Sequence, residues 1–462
     1  MTFLTLTGAL YMLRRDVLKT LPLTFAGILA SQSTPRAAQI DVGTYWREYR
    51  DIVAAKLERI HQTESDVLLE TAHRTAHTIR NGGSCWSQWD LGHSVKEDIF
   101  PGRHGNPLLF IPGYDAEKAS DGDLLLINLF GSPIDDPGEK GIFVIGAPAP
   151  WCGDTPDAQE LLSETHKNFR IKPYSDLWVK TYISTLGPEI WLPGAQYPMG
   201  ALSGIIGMTT FWMINADAAR ILASEGITIK VDGDEPGFTD SSDYVNLSEP
   251  LGGRYYEEVT AQIDRIEAEM GTVRAIADTA VDTILDGGRV HVYSKYWDTL
   301  SIEANTRRGG LTCFHSVDSD RHPEYTGSKN DFVIMGIYSP DDSTDLAYLE
   351  KFRKAGSRVA SIGPAERARK YPEGSVSDKT DYHLGYMCDT YGLFSMPGVS
   401  RRICPTSGAL VNQMFYAVCF HMAEDLISRT GNTPYIYPNG AIEGPPYTEF
   451  SRVHAAGRKR GY

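Results

Sequence analysis

The sequence predicts an α/β protein made of two tandem copies of one unit, each an open, mostly parallel sheet with helices on both faces. Three observations lead there. Blocks of the chain recur in the same order at a nearly constant offset. Continuous apolar runs of strand length alternate with helical patterns. Glycine pairs and Ser-Pro turns punctuate the runs. The 462 residues, 42 % hydrophobic and 10 % aromatic, suffice for two or three proper cores.

The duplication is read block by block. "YWREYRDIVAAKLERIHQTESDVLLETAHRTAHTIRNGG" is answered by "YYEEVTAQIDRIEAEMGTVRAIADTAVDTILDGG", and Gly82 and Gly287 stand 205 positions apart. Each block reads as two successive amphipathic helices closing on Gly-Gly. "GDLLLINLFGSPIDD" (Gly122 to Asp136) is answered by "NDFVIMGIYSPDD" (Asn330 to Asp342). "STLG" at Ser184 recurs as "DTYG" at Asp389, again 205 positions on. "LPGAQYPMGALSGIIGMTTFWMINADAARIL" parallels "MPGVSRRICPTSGALVNQMFYAVCFHMAEDLI".

Within a copy, the order is two helices, a short strand, a helix, then β/α alternation and a long apolar helix. "RVHVYS" (Arg289 to Ser294) alternates and follows Gly-Gly, as a strand does. "DFVIMGIYS" is uninterrupted and apolar, as expected of a strand covered on both faces. "DDSTDLAYLEKFRKAG" has acids in its first turn, apolar residues at helical spacing and a closing glycine. "SRVASIG" returns as a strand. Between the copies, "VDGDEPGFTDSSDYVNLSEPLGG" is acidic, rich in Gly, Pro and Ser, and aperiodic, the composition of a surface linker. The expected organisation is an export signal over 1–38, a first unit over 39–235, a linker over 236–253 and a second unit over 254–462.

The net charge of −15 argues against nucleic acid and anionic membrane surfaces as partners. The basic run Arg458-Lys459-Arg460 reads as a solvated tail. "LRRDVLK" (Leu13 to Lys19) precedes "TLPLTFAGILA", which is too short for a mature membrane span. The pattern Arg14, Arg15, Val17, Leu18, Lys19 resembles a twin-arginine export signal and implies a periplasmic or extracellular protein with no membrane contact in its mature form. Cys85, Cys152, Cys313, Cys388, Cys404 and Cys419 show no CxxC spacing, so neither a zinc site nor a redox motif is expected. His73 and His77 are four apart on a helix but have no acidic or histidine partner close in sequence; a solvated face explains them, and no metal is assigned.

In an open parallel sheet, ligands bind beyond the C-terminal strand ends, where helices begin. Three stretches per copy fall there. "SQWDLGHSVKE" and "SKYWDTLSIEA" each pass from a strand through Trp-Asp (Asp90, Asp298) to a serine at a helix start (Ser94, Ser301). Glu97 follows Ser94 at capping-box spacing, so a helix cap accounts for the pair as well as a ligand would. The Ser-Pro turns bring Ser132, Asp135 and Asp136, and Ser339, Asp341 and Asp342; carboxylates are also favoured at any helix N-terminus. Before the last long helix, Pro405, Thr406 and Ser407 offer hydroxyls and backbone N–H groups, or simply start the helix.

Together, the helical pair, Gly-Gly, strand, "GHS", apolar strand, Ser-containing turn and "CPTSG" before a long helix resemble the sugar isomerase (SIS) domain superfamily, over roughly Asp41 to Tyr462. The resemblance implies two tandem flavodoxin-like (SIS-type) three-layer α/β/α sandwiches and a small-molecule carbohydrate ligand without a cofactor. It also implies face-to-face pairing of SIS units, met internally by the two copies or by a homo-oligomer. Gly92, His93 and Ser94 match the family's first ligand loop. In copy two that loop is "DTLS", which keeps Ser301, with Glu303 nearby. "RRGGL" (Arg307 to Leu311) and Cys404-Pro405-Thr406-Ser407 match the following segment and the third turn.

The second loop departs from the family. Its phosphate-gripping Ser-x-Ser-Gly is replaced in both copies by Ser-Pro and aspartates. Proline removes an N–H donor. Each carboxylate about 4 Å from a phosphate charge would cost on the order of 4 kcal/mol at an effective dielectric near 20. The expected ligand is therefore a non-phosphorylated sugar, whose vicinal hydroxyls carboxylates accept well. Trp86, Trp89, Tyr296 and Trp297 could cover its C–H face or serve the core. Aldose–ketose exchange needs a base and an acid, for which Glu97 and His93 are the candidates, with Glu303 their counterpart in copy two. The same groups could serve a lyase or hydrolase. A non-catalytic carbohydrate-binding protein of the same duplicated fold is the alternative.

Overall fold

The structure, a computed structural model, describes residues 43–88, 98–99, 102–127, 136–148, 154, 157–168, 170–232, 241–295, 300–318, 327–338, 342–366, 374–388, 392–439 and 448–462. The paired arginines of the N-terminal segment lie outside them. From Ile40 to Tyr462 the chain forms one compact unit.

The first half opens on α1 (Thr44–Arg80), one continuous helix of 37 residues rather than the two expected from its sequence. Its counterpart in the second half is broken, as α5 (Gly252–Arg265), a 3₁₀ turn over Ile266–Glu269, and α6 (Met270–Leu285). The difference is local: Gly271 stands just past the break, where α1 has the better helix former Asp66 at the equivalent position. After α1 come β1 (Cys85–Gln88), β2 (Ile111–Pro112), β3 (Leu124–Ile127), β4 (Phe143–Gly146) and β5 (Leu177–Trp178), and then α4 (Ser203–Ser224). The short helices α2 (Ala158–Leu161) and α3 (Glu164–Lys167) lie between β4 and β5. After the first Ser-Pro turn the chain makes only a 3₁₀ turn, Pro137–Lys140, which starts on a proline and ends at Gly141 in the left-handed conformation.

The second half repeats the plan with longer strands: β6 (Val290–Ser294), α7 (Leu300–Thr306), β7 (Phe314–Asp318), β8 (Phe332–Gly336), α8 (Ser343–Lys354), β9 (Arg358–Glu366), α9 (Val376–Lys379), β10 (Tyr382–Cys388) and α10 (Ser407–Thr430). A last helix, α11, covers Thr448–Arg460. The runs "RVHVYS", "DFVIMGIYS" and "SRVASIG" are strands, and "DDSTDLAYLEKFRKAG" is a helix, as its pattern requires.

Both sheets are five-stranded and wholly parallel, in the orders β2-β1-β3-β4-β5 and β7-β6-β8-β9-β10. Counted within each half, both orders are 2-1-3-4-5, that of flavodoxin-like doubly wound sheets. The fold is thus two tandem three-layer α/β/α units with parallel sheets. Strands β3, β6 and β8 are buried from end to end, which is why β3 and β8 read as continuous apolar runs; in β6 the polar His291 and Ser294 are buried with the rest.

The halves share one core. A single apolar cluster takes Trp46 and Tyr49 from α1, Phe211 and Trp212 from α4, Tyr255 from α5, Ile276 from α6 and Phe415 and Phe420 from α10. Helices α4 and α10 are buried on nearly every face, so they read as apolar all round rather than amphipathic. Two carboxylates on these helices join the halves. Asp217 of α4 accepts from the N–H groups of Leu251 (2.8 Å) and Gly252 (3.0 Å) at the start of α5. Glu424 of α10 accepts from those of Gly43 (2.6 Å) and Tyr45 (3.0 Å) at the start of α1. Each long helix thereby caps the first helix of the other half and satisfies donors that the backbone cannot.

Candidate functional site

In a parallel sheet the C-terminal strand ends lead into the N-termini of the following helices, and six of the candidate residues are described. His93, Ser94, Glu97 and Asp90 of the first loop lie outside the described residues, as do Ser132, Asp135, Asp298, Ser339 and Asp341. The others can be placed.

Ser301 is fully buried in the first turn of α7. Its N–H donates to Ser294 Oγ (3.1 Å), the two hydroxyls lie 2.7 Å apart, and its own hydroxyl donates to the carbonyl of Val317 (3.0 Å). Ser316 closes the knot by donating to the Ser301 carbonyl (2.5 Å). This serine pins α7 to β6 and β7. Asp136 caps its 3₁₀ turn by accepting from the Gly138 N–H (2.8 Å). Asp342 does the same for α8: one oxygen accepts from the N–H groups of Thr344 (2.8 Å) and Asp345 (3.1 Å), and the other pairs with Lys295 Nζ (2.6 Å). Just inside that cap, Asp345 is buried and accepts from Tyr293 Oη (3.0 Å). Burial, with the Asp342 carboxylate adding to it, pushes the Asp345 carboxyl up to about 8.

The larger assembly at the strand ends is one that the motif analysis missed. Glu303 is 1 % exposed and pairs with Arg307 (Oε2 to Nε, 3.2 Å). Arg307 donates through Nη2 to Ser203 Oγ (2.9 Å), in the first turn of α4 and therefore in the other half. Tyr416 of α10 donates to Glu303 Oε2 (3.3 Å). The first half holds the mirror image. Asp98 is 2 % exposed and accepts from Arg103 Nε (2.9 Å) and from Trp212 Nε1 of α4 (2.6 Å). Arg103, 3 % exposed, also donates to Ser407 Oγ in the first turn of α10.

The correspondence extends to the backbone. The Gly200 N–H donates to the Gly309 carbonyl (3.0 Å), and the Cys404 N–H to the Gly105 carbonyl (2.9 Å). Tyr49 Oη donates to the Ala201 carbonyl (2.7 Å), and Tyr255 Oη to that of Pro405 (2.8 Å). Gly200 has φ +90°, and Cys404 adopts the same left-handed conformation at φ +63° despite its side chain, so the turn geometry dictates the residue's backbone rather than the reverse. The residue that answers Glu303 is Asp98, immediately after Glu97. The 205-residue offset of the repeat leads to it directly.

Each pair thus belongs to one half and ends on the N-terminus of the other half's long helix. Arg103 lies with its guanidinium carbon 4.9 Å from the ring of Tyr338, two residues past β8. Burial acts to lower its pKa, but the Asp98 carboxylate, with Tyr338 and Tyr386 of β10, raises it above the ordinary value, so the side chain is a buried cation held by its partners. Gly408, in the same helix turn, leaves room for this contact: a Cβ there would stand 2.5 Å from Asp98 Oδ2. In the first half, burial and then the charge of Arg308 lower His166 of α3 to about 4, so that histidine is neutral near pH 7. Arg308 of the second half therefore acts near α3, on the β4–β5 connection of the first. The tail after α10 crosses likewise, with Asn439 donating to the Thr185 carbonyl (3.0 Å).

Thr406 and Ser407 both lie at the start of α10, buried, with Ser407 taken up by Arg103. Trp86 is buried and donates to Asp123 (3.0 Å), a core role. His73 and His77 line a shallow surface depression with Glu70, Arg74 and Arg80. Among the described residues no group of three His, Cys, Asp or Glu side chains could hold a metal ion, and no helix is long and apolar enough to cross a membrane.

No family model matches the chain, and no curated relative does. Among solved structures, it is similar to the C-terminal domain of glucosamine-fructose-6-phosphate aminotransferase from Francisella tularensis, at 10 % identity and a TM-score of 0.44, over 86 % of this chain and 97 % of that one. It is also similar to tagatose-6-phosphate ketose/aldose isomerase from Escherichia coli, at 14 % identity and a TM-score of 0.43, over 86 % of this chain and 96 % of that one.

Proposed function

We propose that the chain is an exported SIS-type protein that acts on a non-phosphorylated sugar by acid/base chemistry, as an isomerase, lyase or hydrolase. The duplicated 2-1-3-4-5 sheets, with the "GHS" and "CPTSG" motifs of the sequence, support the sugar reading. One observation carries the exclusion of phosphate. A phosphate at a helix N-terminus is held by free backbone N–H groups. At the start of α8, those of Thr344 and Asp345 already donate to Asp342, and Asp136 occupies the equivalent donor after β3. A phosphate there would meet a carboxylate in place of the donors it needs. Glu97 and His93 are the base and acid in this reading, and the paired arginines near the N-terminus direct the chain out of the cytoplasm.

The second reading, sugar binding without reaction, is favoured by the state of Glu303. Its carboxylate is buried and committed to Arg307 and Tyr416, an unsuitable position for a group that must exchange protons with a substrate.

Thermal stabilisation by neutral sugars and by sugar phosphates tests the proposal. Neutral sugars should raise the melting temperature and phosphosugars should not; stabilisation by phosphosugars alone would overturn it. Given a stabilising sugar, turnover lost in Glu97→Gln marks the enzyme, and binding without turnover in wild type marks the second reading.

A further inference from the structure

We propose that Arg103 and Arg307 are ligand-contacting donors, each supplied by one half to the strand-end site of the other, and each reserved for an uncharged oxygen such as a sugar hydroxyl or carbonyl. The choice of a neutral sugar rests on the function proposed above; the placement of the arginines does not.

Each guanidinium has donors left to give. Arginine carries five N–H donors in a fixed plane. Arg103 spends Nε and Nη2 on Asp98 and on Ser407 Oγ. Arg307 gives Nη2 to Ser203 Oγ, while its Nε faces Glu303 Oε2 at 3.2 Å as an ion pair without a hydrogen bond. In both, Nη1 makes no hydrogen bond among the described residues, although the side chains are only 3 % and 4 % exposed. Neither Nη1 is among the buried atoms left without a partner, so in each guanidinium it is the nitrogen that solvent, or a ligand, still reaches, and the two occupy equivalent positions of a duplicated fold.

The surroundings indicate what that purpose is. Arg103 stands against the first turn of α10, over Tyr338 and within reach of Tyr386, at the C-terminal ends of β8 and β10. That is where an open parallel sheet binds its ligand. Arg307 stands in the same relation to the first turn of α4. Asp98 and Glu303 neutralise their arginines, so what faces the site is a donor without net charge. A phosphate or carboxylate would find its countercharge already taken, whereas a hydroxyl or carbonyl oxygen needs only the N–H. Neither half can complete its own site, which gives the tandem arrangement a chemical reason.

Removing the neutralising acid should convert each donor into an anion site. Asp98→Asn and Glu303→Gln keep the shape and leave the arginine charged. Both variants should be stabilised by sulfate with an apparent dissociation constant at least tenfold lower than wild type, measured as a melting-temperature shift against chloride at equal ionic strength. Adding Arg103→Met to the first, or Arg307→Met to the second, should abolish the gain. A variant that folds only in sulfate counts as the same gain. Variants that fold but respond to sulfate as wild type does, or that fail to fold even in sulfate, would overturn the proposal. In parallel, Arg103→Lys should weaken by tenfold or more any neutral sugar that stabilises wild type. A sulfate gain with no neutral sugar bound by wild type would leave the arginine sites standing and remove the sugar reading; unchanged sugar affinity in a folded Arg103→Lys would remove Arg103 from the ligand.

Discussion

Replacing Glu303 by alanine should be among the most damaging single changes in the chain. The side chain is 1 % exposed, and its carboxylate serves both Arg307, itself buried, and the Tyr416 hydroxyl. Without it, the guanidinium keeps Ser203 as its acceptor but has lost its countercharge in a buried site. Removing one partner of such a pair costs about 3–5 kcal/mol, most of it the charge left behind. At about 2.1 cal/mol/K per residue, a cooperative unit of about 420 residues has an unfolding entropy near 0.9 kcal/mol/K, so the melting temperature should fall by roughly 3–6 °C. Urea titration is the sharper assay, because the midpoint should move while the slope stays fixed. The double change Glu303→Leu with Arg307→Met supplies the control. It removes both charges and fills the space with apolar atoms, and should recover most of the loss. A loss below about 1 kcal/mol for Glu303→Ala, or a double variant as unstable as the two single ones summed, would refute a buried, mutually dependent pair.

Three further outcomes follow from the same coordinates. Asp345 has a native pKa raised to about 8, above the roughly 3.9 of an unfolded aspartate, so its contribution is full below the unfolded value and is lost as pH rises toward 8. Asp345→Asn should therefore show a flatter stability profile than wild type between about pH 4 and 8 in urea midpoints. Gly408→Ala places a Cβ 2.5 Å from Asp98 Oδ2 and should cost about 1–3 kcal/mol, whereas the same change at Gly271, which meets nothing within 4 Å, should stabilise by about 0.4–1 kcal/mol. Cys85, Cys313, Cys404 and Cys419 are buried free thiols whose pKa values burial raises; they should ignore a thiol reagent in the native protein and react once it is unfolded.

The architecture was largely readable because its signals are local. A strand covered on both faces is largely apolar, which marks "DFVIMGIYS", while "RVHVYS" shows itself by its alternation after Gly-Gly. The repeat was readable because one backbone plan imposes the same turn residues twice. The continuity of α1 was not, since a 3₁₀ break and an unbroken helix differ by a single glycine in a long amphipathic pattern. The Asp98 and Glu303 networks escaped for another reason. Each draws on residues over a hundred positions apart, and an Asp-Arg pair carries no motif until the fold brings Trp212 and Ser407 to it. Asp342 shows the converse: its place at a strand end was legible, but that its carboxylate serves as the α8 cap depends on backbone geometry.

The duplication also explains why the two halves differ where they do. In a pair of identical units, both networks would carry the same residues. Within one chain each may drift, provided the acid, the arginine and the helix-start serine stay matched across the interface. Aspartate with tryptophan serves one side and glutamate with tyrosine the other. The longer glutamate goes with the smaller phenol and the shorter aspartate with the larger indole, while a glycine follows the helix-start serine on both sides, as Gly204 and Gly408. Compensation of this kind is what close packing requires of a buried polar cluster. It makes the two ends separable by mutation: Asp98→Glu needs room that Gly408 and Trp212 do not give, while Glu303→Asp leaves Tyr416 and Arg307 short of an acceptor. If the two acids were interchangeable, both changes would be mild in urea midpoints; if each is fitted to its own partners, both should cost about 1–3 kcal/mol, and restoring the matching aromatic at 212 or 416 should return part of the loss.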